Sequence, residues 1–286
     1  MKTSEVLLRP RSVARAATLM LSLFMVLCIA TSSVAYAADS DDATNDEPTN
    51  KERLAELKVK FKEAKKKKDV NSMRALLDSA SDLYEDCCDE EKLQLEVLKF
   101  TGIAGKGTKG HEIKVLVMQE LAEIGDLRAA KYVKTYLKQP DPKRASDTLK
   151  AAVEAASQLP DPSLVAPLLK IVTRSKTTGI MEEAVFALGK FKDARKYRGR
   201  ILETLVGEAK KVKPGNRPRM RGSQDSLNGN GTPYGRESGP GARWAALSAS
   251  VPVALRELTG QDVRTLSEWM NLVKSHKGKY ADLFVD

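Results

Sequence analysis

Few residues in this chain could do chemistry, and the glycine-rich stretch Gly102-Ile103-Ala104-Gly105-Lys106-Gly107-Thr108-Lys109-Gly110 comes first. Gly105, Gly107 and Gly110 match G-x-G-x-x-G, a spacing that lets backbone N–H groups close around a phosphate. That cradle needs a strand before it and a helix N-terminus after it. Here the preceding segment carries Leu93, Val97 and Leu98 at helical spacing, and Thr108 stands where a P-loop needs lysine. The expectation is a flexible loop between helices, with a bound anion at most.

Cys87-Cys88 is a vicinal pair flanked by Glu85, Asp86, Asp89 and Glu90. Acidic neighbours keep a thiol protonated and oppose its use as a nucleophile. Three readings compete: a disulfide between the two, a bridge to another chain, or a metal contact. His111 and His276 are too far apart to give ligand spacing, so no metal site is predicted. In an oxidising compartment the plainest outcome is a disulfide between Cys87 and Cys88 near a helix terminus. No Ser-His-Asp or Cys-His grouping can be assembled. Glu182 and Glu183 are adjacent, so they point to different sides of a helix and make no acid/base pair. No catalytic residue and no cofactor are assigned, and the chain reads as a non-enzyme.

Three basic features remain. They are the run Lys65, Lys66, Lys67 and Lys68, the stretch Arg195-Lys196-Tyr197-Arg198-Gly199-Arg200, and a loop with Arg217, Arg219, Arg221 and Arg236. Each could hold phosphates. Glu63, Asp69 and Asp193 stand beside the first two, which fits an ordinary solvated face. The loop also has Tyr234 and Trp244 near it, and long loops in compact folds are often functional. Arg217, Arg219, Arg221, Tyr234, Arg236 and Trp244 are therefore the leading candidates for contact with a partner, with the four lysines second.

The elements that must position these residues follow from composition. The 286 residues are 42% hydrophobic and 30% charged, with a net charge of +10. Such a chain can bury a large core and needs no disulfide scaffold. Residues 1–37 read as a secretory signal, with Lys2, Arg9, Arg11 and Arg15 leading. An uncharged stretch centred on Leu19–Leu27 follows, and Ala35-Tyr36-Ala37 offers a cleavage site. The alternative is an uncleaved anchor, since Ala16–Ala38 is long enough to span a bilayer. Cleavage leaves 44 Lys and Arg against 37 Asp and Glu, a net +7. The expected location is outside the cytoplasm, periplasmic or secreted.

Residues 38–50 form an acidic leader with Asp39, Asp41, Asp42, Asp46 and Glu47, and are expected to be disordered. Residues 51–68 carry nine Lys or Arg against three Glu, with Leu54, Leu57, Phe61 and Ala64 on one helical face. Asn71 or Ser72 is the expected cap of a second helix, and a third runs from about Glu90 to Thr101. Residues 213–242 hold seven Gly and four Pro in 30 positions and predict a long irregular loop. Helices resume after it, with Trp244, Leu247, Val251, Leu255 and Leu258 in one stripe. A second stripe has Val263, Leu266, Trp269, Met270 and Val273.

The middle of the chain repeats. Asp126, Asp161 and Asp193 are 35 and 32 residues apart. Two residues before them are Ile124, Leu159 and Phe191; five before, Leu121, Ala156 and Leu188; nine before, Val117, Ala152 and Ala184. Each marker is followed by a second apolar-periodic stretch. A period near 33 residues, made of two helices, predicts an α-solenoid. Ile124-Gly125-Asp126-Leu127-Arg128-Ala129 and Asp161-Pro162-Ser163-Leu164-Val165-Ala166-Pro167-Leu168-Leu169 resemble the short bacterial HEAT-like repeats. Phe186-Ala187-Leu188-Gly189-Lys190 resembles the end of their first helix. The third copy departs, since no Pro follows Asp193. Ala254-Leu255-Arg256-Glu257-Leu258-Thr259-Gly260 and the helix with Trp269 resemble the last repeat of exported HEAT-like proteins.

The expected fold is all-α: HEAT-like helical hairpins over residues 51–212, the loop 213–242, and a capping repeat over 243–286. The resemblance implies scaffold or adaptor work with a protein partner. Nucleic-acid or anionic-polymer binding through the basic segments is the alternative, which export disfavours for DNA.

Overall fold

Asp126 and Asp161 occupy the same structural place. Both have extended backbone, and each side chain accepts a hydrogen bond from the N–H two residues on. The distances are 2.7 Å from Arg128 and 2.8 Å from Ser163. Each opens a 3-10 turn, Leu127–Ala129 or Pro162–Leu164, that runs straight into an α-helix. A short carboxylate there satisfies a donor that the helix start leaves without a partner. Pro162 suits the first turn because it has no donor to satisfy.

The computed structural model describes residues 48–107, 111–138, 146–214, 240–276 and 278–284. Among the described residues there are eleven α-helices and no strand, so the fold is all-α. In chain order they are α1 (Asn50–Lys67), α2 (Val70–Asp86), α3 (Glu91–Ala104), α4 (His111–Ile124), α5 (Ala130–Leu137) and α6 (Ser146–Gln158). Then come α7 (Val165–Arg174), α8 (Thr178–Gly189), α9 (Arg195–Val212), α10 (Pro240–Thr259) and α11 (Leu266–His276). The expected signal, residues 1–37, and most of the acidic leader lie outside the described residues.

The helices pack in two rows. Each even-numbered helix lies against the next even-numbered one from α2 to α10, and each odd-numbered helix against the next odd-numbered one from α1 to α11. The rows also touch each other, for example α1 on α2, α5 on α6, α7 on α8 and α9 on α10. The core lies between them. Val117, Ala152 and Ala184, and Leu121, Ala156 and Leu188, are all fully buried. So are Val133, Leu168 and Leu205 of the facing helices. The recurring apolar positions thus form the seam where the rows meet.

Several boundaries differ from the sequence reading. Thr49 and Asn50 belong to the start of α1 and not to the leader: Thr49 and Glu52 form a capping box. The cap of α2 is Asp69, which accepts from the Ser72 N–H at 3.1 Å. Lys68 takes a left-handed conformation at φ 57°, which reverses the chain and brings Asp69 to the cap position ahead of Asn71 or Ser72. Helix α3 continues to Ala104, three residues past the expected end. Helix α10 begins at Pro240, inside the expected loop, and residues 215–239 lie outside the described residues.

The third repeat is different in the way its sequence suggests. Asp193 is exposed and caps nothing. Helix α9 starts at Arg195, and the buried Arg198 donates from Nε to the Lys192 carbonyl instead. The chain end closes over this region: the Arg198 guanidinium lies 5.3 Å from the Phe284 ring centroid, and Leu283 is buried. At the other turn, Trp269 is fully buried and its Nε1–H donates to the Val263 carbonyl at 3.2 Å.

Candidate functional site

Charge divides between the two rows. The odd-numbered helices carry 21 Lys and Arg against eight Asp and Glu, a net +13. The even-numbered helices carry five against twelve, a net −7. Lys131, Lys170, Arg174, Lys196 and Arg200 are exposed on the basic row, and Asp78, Asp82, Glu123, Asp147 and Glu154 on the acidic row. The alternation of helices thus sorts net charge of opposite sign into the two rows.

The lysine run sits at the end of α1. Lys66, Lys67 and Lys68 are exposed, while Lys65 donates from Nζ to the Lys106 carbonyl at 2.6 Å. Lysines in a last helical turn also complement the negative end of the helix dipole, which gives them a local role without any partner. Arg217, Arg219, Arg221, Tyr234 and Arg236 lie outside the described residues. Trp244 is half-buried and packs against the core from α10. Its neighbour Arg243, which the sequence reading passed over, has an internal role. It donates to the Ser175 carbonyl at 2.9 Å and to the Val172 carbonyl, and pairs with Glu208 at 3.5 Å. It ties α10 to the end of α7 and to α9, and only the tertiary fold brings those groups together.

A half-buried polar network stands behind the first repeat turn. The Tyr84 hydroxyl donates to Asp126, and Arg128 Nε donates to the same carboxylate at 2.7 Å. Arg128 also reaches Gln94 at 3.1 Å and Glu91 at 3.2 Å, so α2, α3 and the turn before α5 are joined at one point. Burial works to raise the Asp126 carboxyl, but the bonds from Arg128 and Tyr84 outweigh it and hold it below the usual range. Burial raises the Tyr84 hydroxyl, and its bond to Asp126 raises it further.

Glu120 on α4 is buried against α2, where the Ser81 hydroxyl donates to it at 2.5 Å. Burial pushes its carboxyl up to about 7; the Ser81 bond pulls the other way, and the Asp78 and Glu123 carboxylates add to the rise. Its position, three residues after Val117 and one before Leu121, gave a sequence signal: a carboxylate where the stripe is apolar. Cys87 is buried and Cys88 exposed, and both are free thiols. Burial, then Glu90 and Asp86, raise the Cys87 thiol. His111 begins α4 with Nδ1 buried and without a partner, and His276 Nδ1 lies 2.8 Å from the Leu272 carbonyl. Neither is simply solvated. Among the described residues no three His, Cys, Asp or Glu come close enough to hold a metal ion. No described helix is long and apolar enough to cross a membrane.

The chain matches no protein-family model, no curated protein and no solved structure.

Proposed function

We propose that this chain is a non-enzymatic binding protein, an α-solenoid of HEAT-like hairpins that docks an acidic protein partner along its odd-numbered helices. Two features support the solenoid reading: the two-row packing and the twice-built Asp-capped turn 35 residues apart. The observation that carries the function is the net +13 on one row against −7 on the other. A row of rigid helices fixes the backbone that carries the lysines and arginines, so docking has only their side chains to order. The net positive charge of the row, most of it on α1 and α9, speeds encounter and selects a partner of the other sign. The acidic row repels the same partner, which sets the side it approaches from. Action outside the cytoplasm rests on the signal-like N-terminus.

The test is crosslinking of the full chain beside a variant with Lys131, Lys170, Arg174 and Lys196 changed to Glu. The native chain should capture one partner, and the variant should lose it, as should the native chain in 0.5 M salt (roughly a 4 Å Debye length). Equal capture by both chains sinks the proposal. A third arm lacking residues 213–242 separates the row from the arginine loop.

A second reading has the exposed lysines Lys66–Lys68 holding an anionic polymer. It calls for a steep fall of duplex-DNA or polyanion binding with salt. It also calls for loss of that binding when Lys65 to Lys68 become Gln.

A further inference from the structure

Where α3 ends, the chain turns and α5 passes beneath, leaving an open pocket of about 400 Å³. Its wall is made by Ile103, Gly105, Lys106, Lys114, Tyr132 and Tyr136. Three features of this wall fit together. No Asp or Glu lines it, while Lys106 and Lys114 do, and neither lysine has a carboxylate partner among the described residues. Lys65 adds a third ammonium close by, bonded to the Lys106 carbonyl at 2.6 Å. Tyr136 is only 5% exposed, yet its hydroxyl makes no hydrogen bond among the described residues, and burial raises it above the ordinary phenol range. The ring is covered, but the hydroxyl oxygen is not sealed off as those of Thr101 and Thr148 are, and it faces the open pocket as a donor that a ligand could use.

Gly105 leaves the hydroxyl its room. A Cβ there would lie 2.5 Å from Tyr136 Oη and 3.3 Å from Lys114 Cγ. The absence of that side chain lets the hydroxyl and the lysine stem approach the same point. Gly102, one turn back, admits the Tyr132 ring in the same way. Ile103, about half exposed at 47%, gives the pocket one apolar side, beside the Tyr132 ring, which packs on Gly102 and carries the Lys131 ammonium 4.9 Å from its centroid. One end therefore offers two ammonium groups and a phenol donor, and the other the exposed Ile103 side chain beside the Tyr132 ring.

We propose that this pocket binds a small organic oxyanion, a phosphate or carboxylate carried on a compact apolar body. The oxyanion lies between Lys106 and Lys114 and accepts the Tyr136 O–H. The body rests on Ile103 and Tyr132. The volume is at the lower end of small-ligand pockets and suits one ring with its charged group. The glycines thus do serve an anion site, but by clearing space for two tyrosines from α5 and not by wrapping phosphate in backbone N–H groups.

The test is calorimetric titration of the full chain with phenyl phosphate, benzoate, inorganic phosphate and phenol. Phenyl phosphate or benzoate should bind, and whichever binds tighter names the oxyanion. Tyr136→Phe removes one oxygen and leaves the ring, so the fold should be kept, with Tm as the check. It should weaken binding by about tenfold, the loss of a hydrogen bond to a charged group. Lys106→Gln with Lys114→Gln should abolish it. Three results each overturn the proposal: neither organic anion binds at millimolar concentration, phenol binds as well as they do, or both variants bind like the native chain. Tight binding of inorganic phosphate alone overturns the apolar wall.

Discussion

Gly189 lies flat against Ala254. A Cβ on Gly189 would sit 3.0 Å from both the Cα and the carbonyl oxygen of Ala254, so α8 and α10 meet backbone to backbone. This contact is one of those that join α10 to the earlier helices, beside Arg243 and the packing of α9 on α10. Gly189→Ala should therefore push the two helices apart and destabilise the fold by about 1–3 kcal/mol. Thermal unfolding should show a drop of several degrees. Ala254→Gly should not rescue it, because the atoms in the way belong to the backbone. A Gly189→Ala chain of native Tm would mean the helices do not pack this closely.

The three aspartates of the repeat should behave unequally. Asp161→Ala removes one cap bond and should cost about 1 kcal/mol. Asp126→Ala also takes away the acceptor for the half-buried Tyr84 hydroxyl and the Arg128 Nε and should cost about 1–3 kcal/mol, more than the cap alone. Asp193→Ala should be near neutral. Urea midpoints on the three variants give the order, and equal costs would contradict the distinct roles seen at these turns.

Glu120 makes stability depend on pH. A glutamate in the unfolded chain titrates near 4.5, and in the fold this one titrates near 7. Between those values the folded state holds more protons, so stability is full below pH 4.5 and falls as pH rises through 7. The cost of ionising it is on the order of 1–3 kcal/mol. Glu120→Gln keeps a group that can bond Ser81 and cannot ionise. The variant should gain stability over the native chain at pH 8 and differ little at pH 4.5. A parallel pair of pH–Tm curves would show that Glu120 does not titrate as described.

The cysteines should differ in rate. In the reduced protein, the exposed Cys88 should react with a thiol reagent within the mixing period. Cys87 should lag until the chain unfolds, being buried and held protonated by its surroundings. Two thiols reacting together in the native state would place Cys87 at the surface.

Much of the local structure was legible in residues 110–210. The stripe positions Val117, Leu121, Ala152, Ala156, Ala184 and Leu188 are buried as the period requires. The turn residues Asp126 and Asp161 cap as their type suggests. Asp69 was missed as a cap because Asn71 and Ser72 are equally good caps by type. The deciding fact was the left-handed Lys68, which no residue type announces. Arg243 was missed because its partners, Ser175, Val172 and Glu208, are 35 to 71 residues away in sequence.

The sequence by itself determined the all-α class, the two-helix period and the buried stripe. These are local matters, set by 3.6-residue periodicity and by Asp and Pro at helix starts. Only the tertiary structure decided which helices are neighbours. A helix's own charges say nothing about the sign of a surface until the fold places every second helix in one row. That placement turned a diffuse excess of lysine and arginine into one basic and one acidic row. It also set α5 beneath the end of α3, where two glycines and two tyrosines, 30 and 31 residues apart, close on a single pocket.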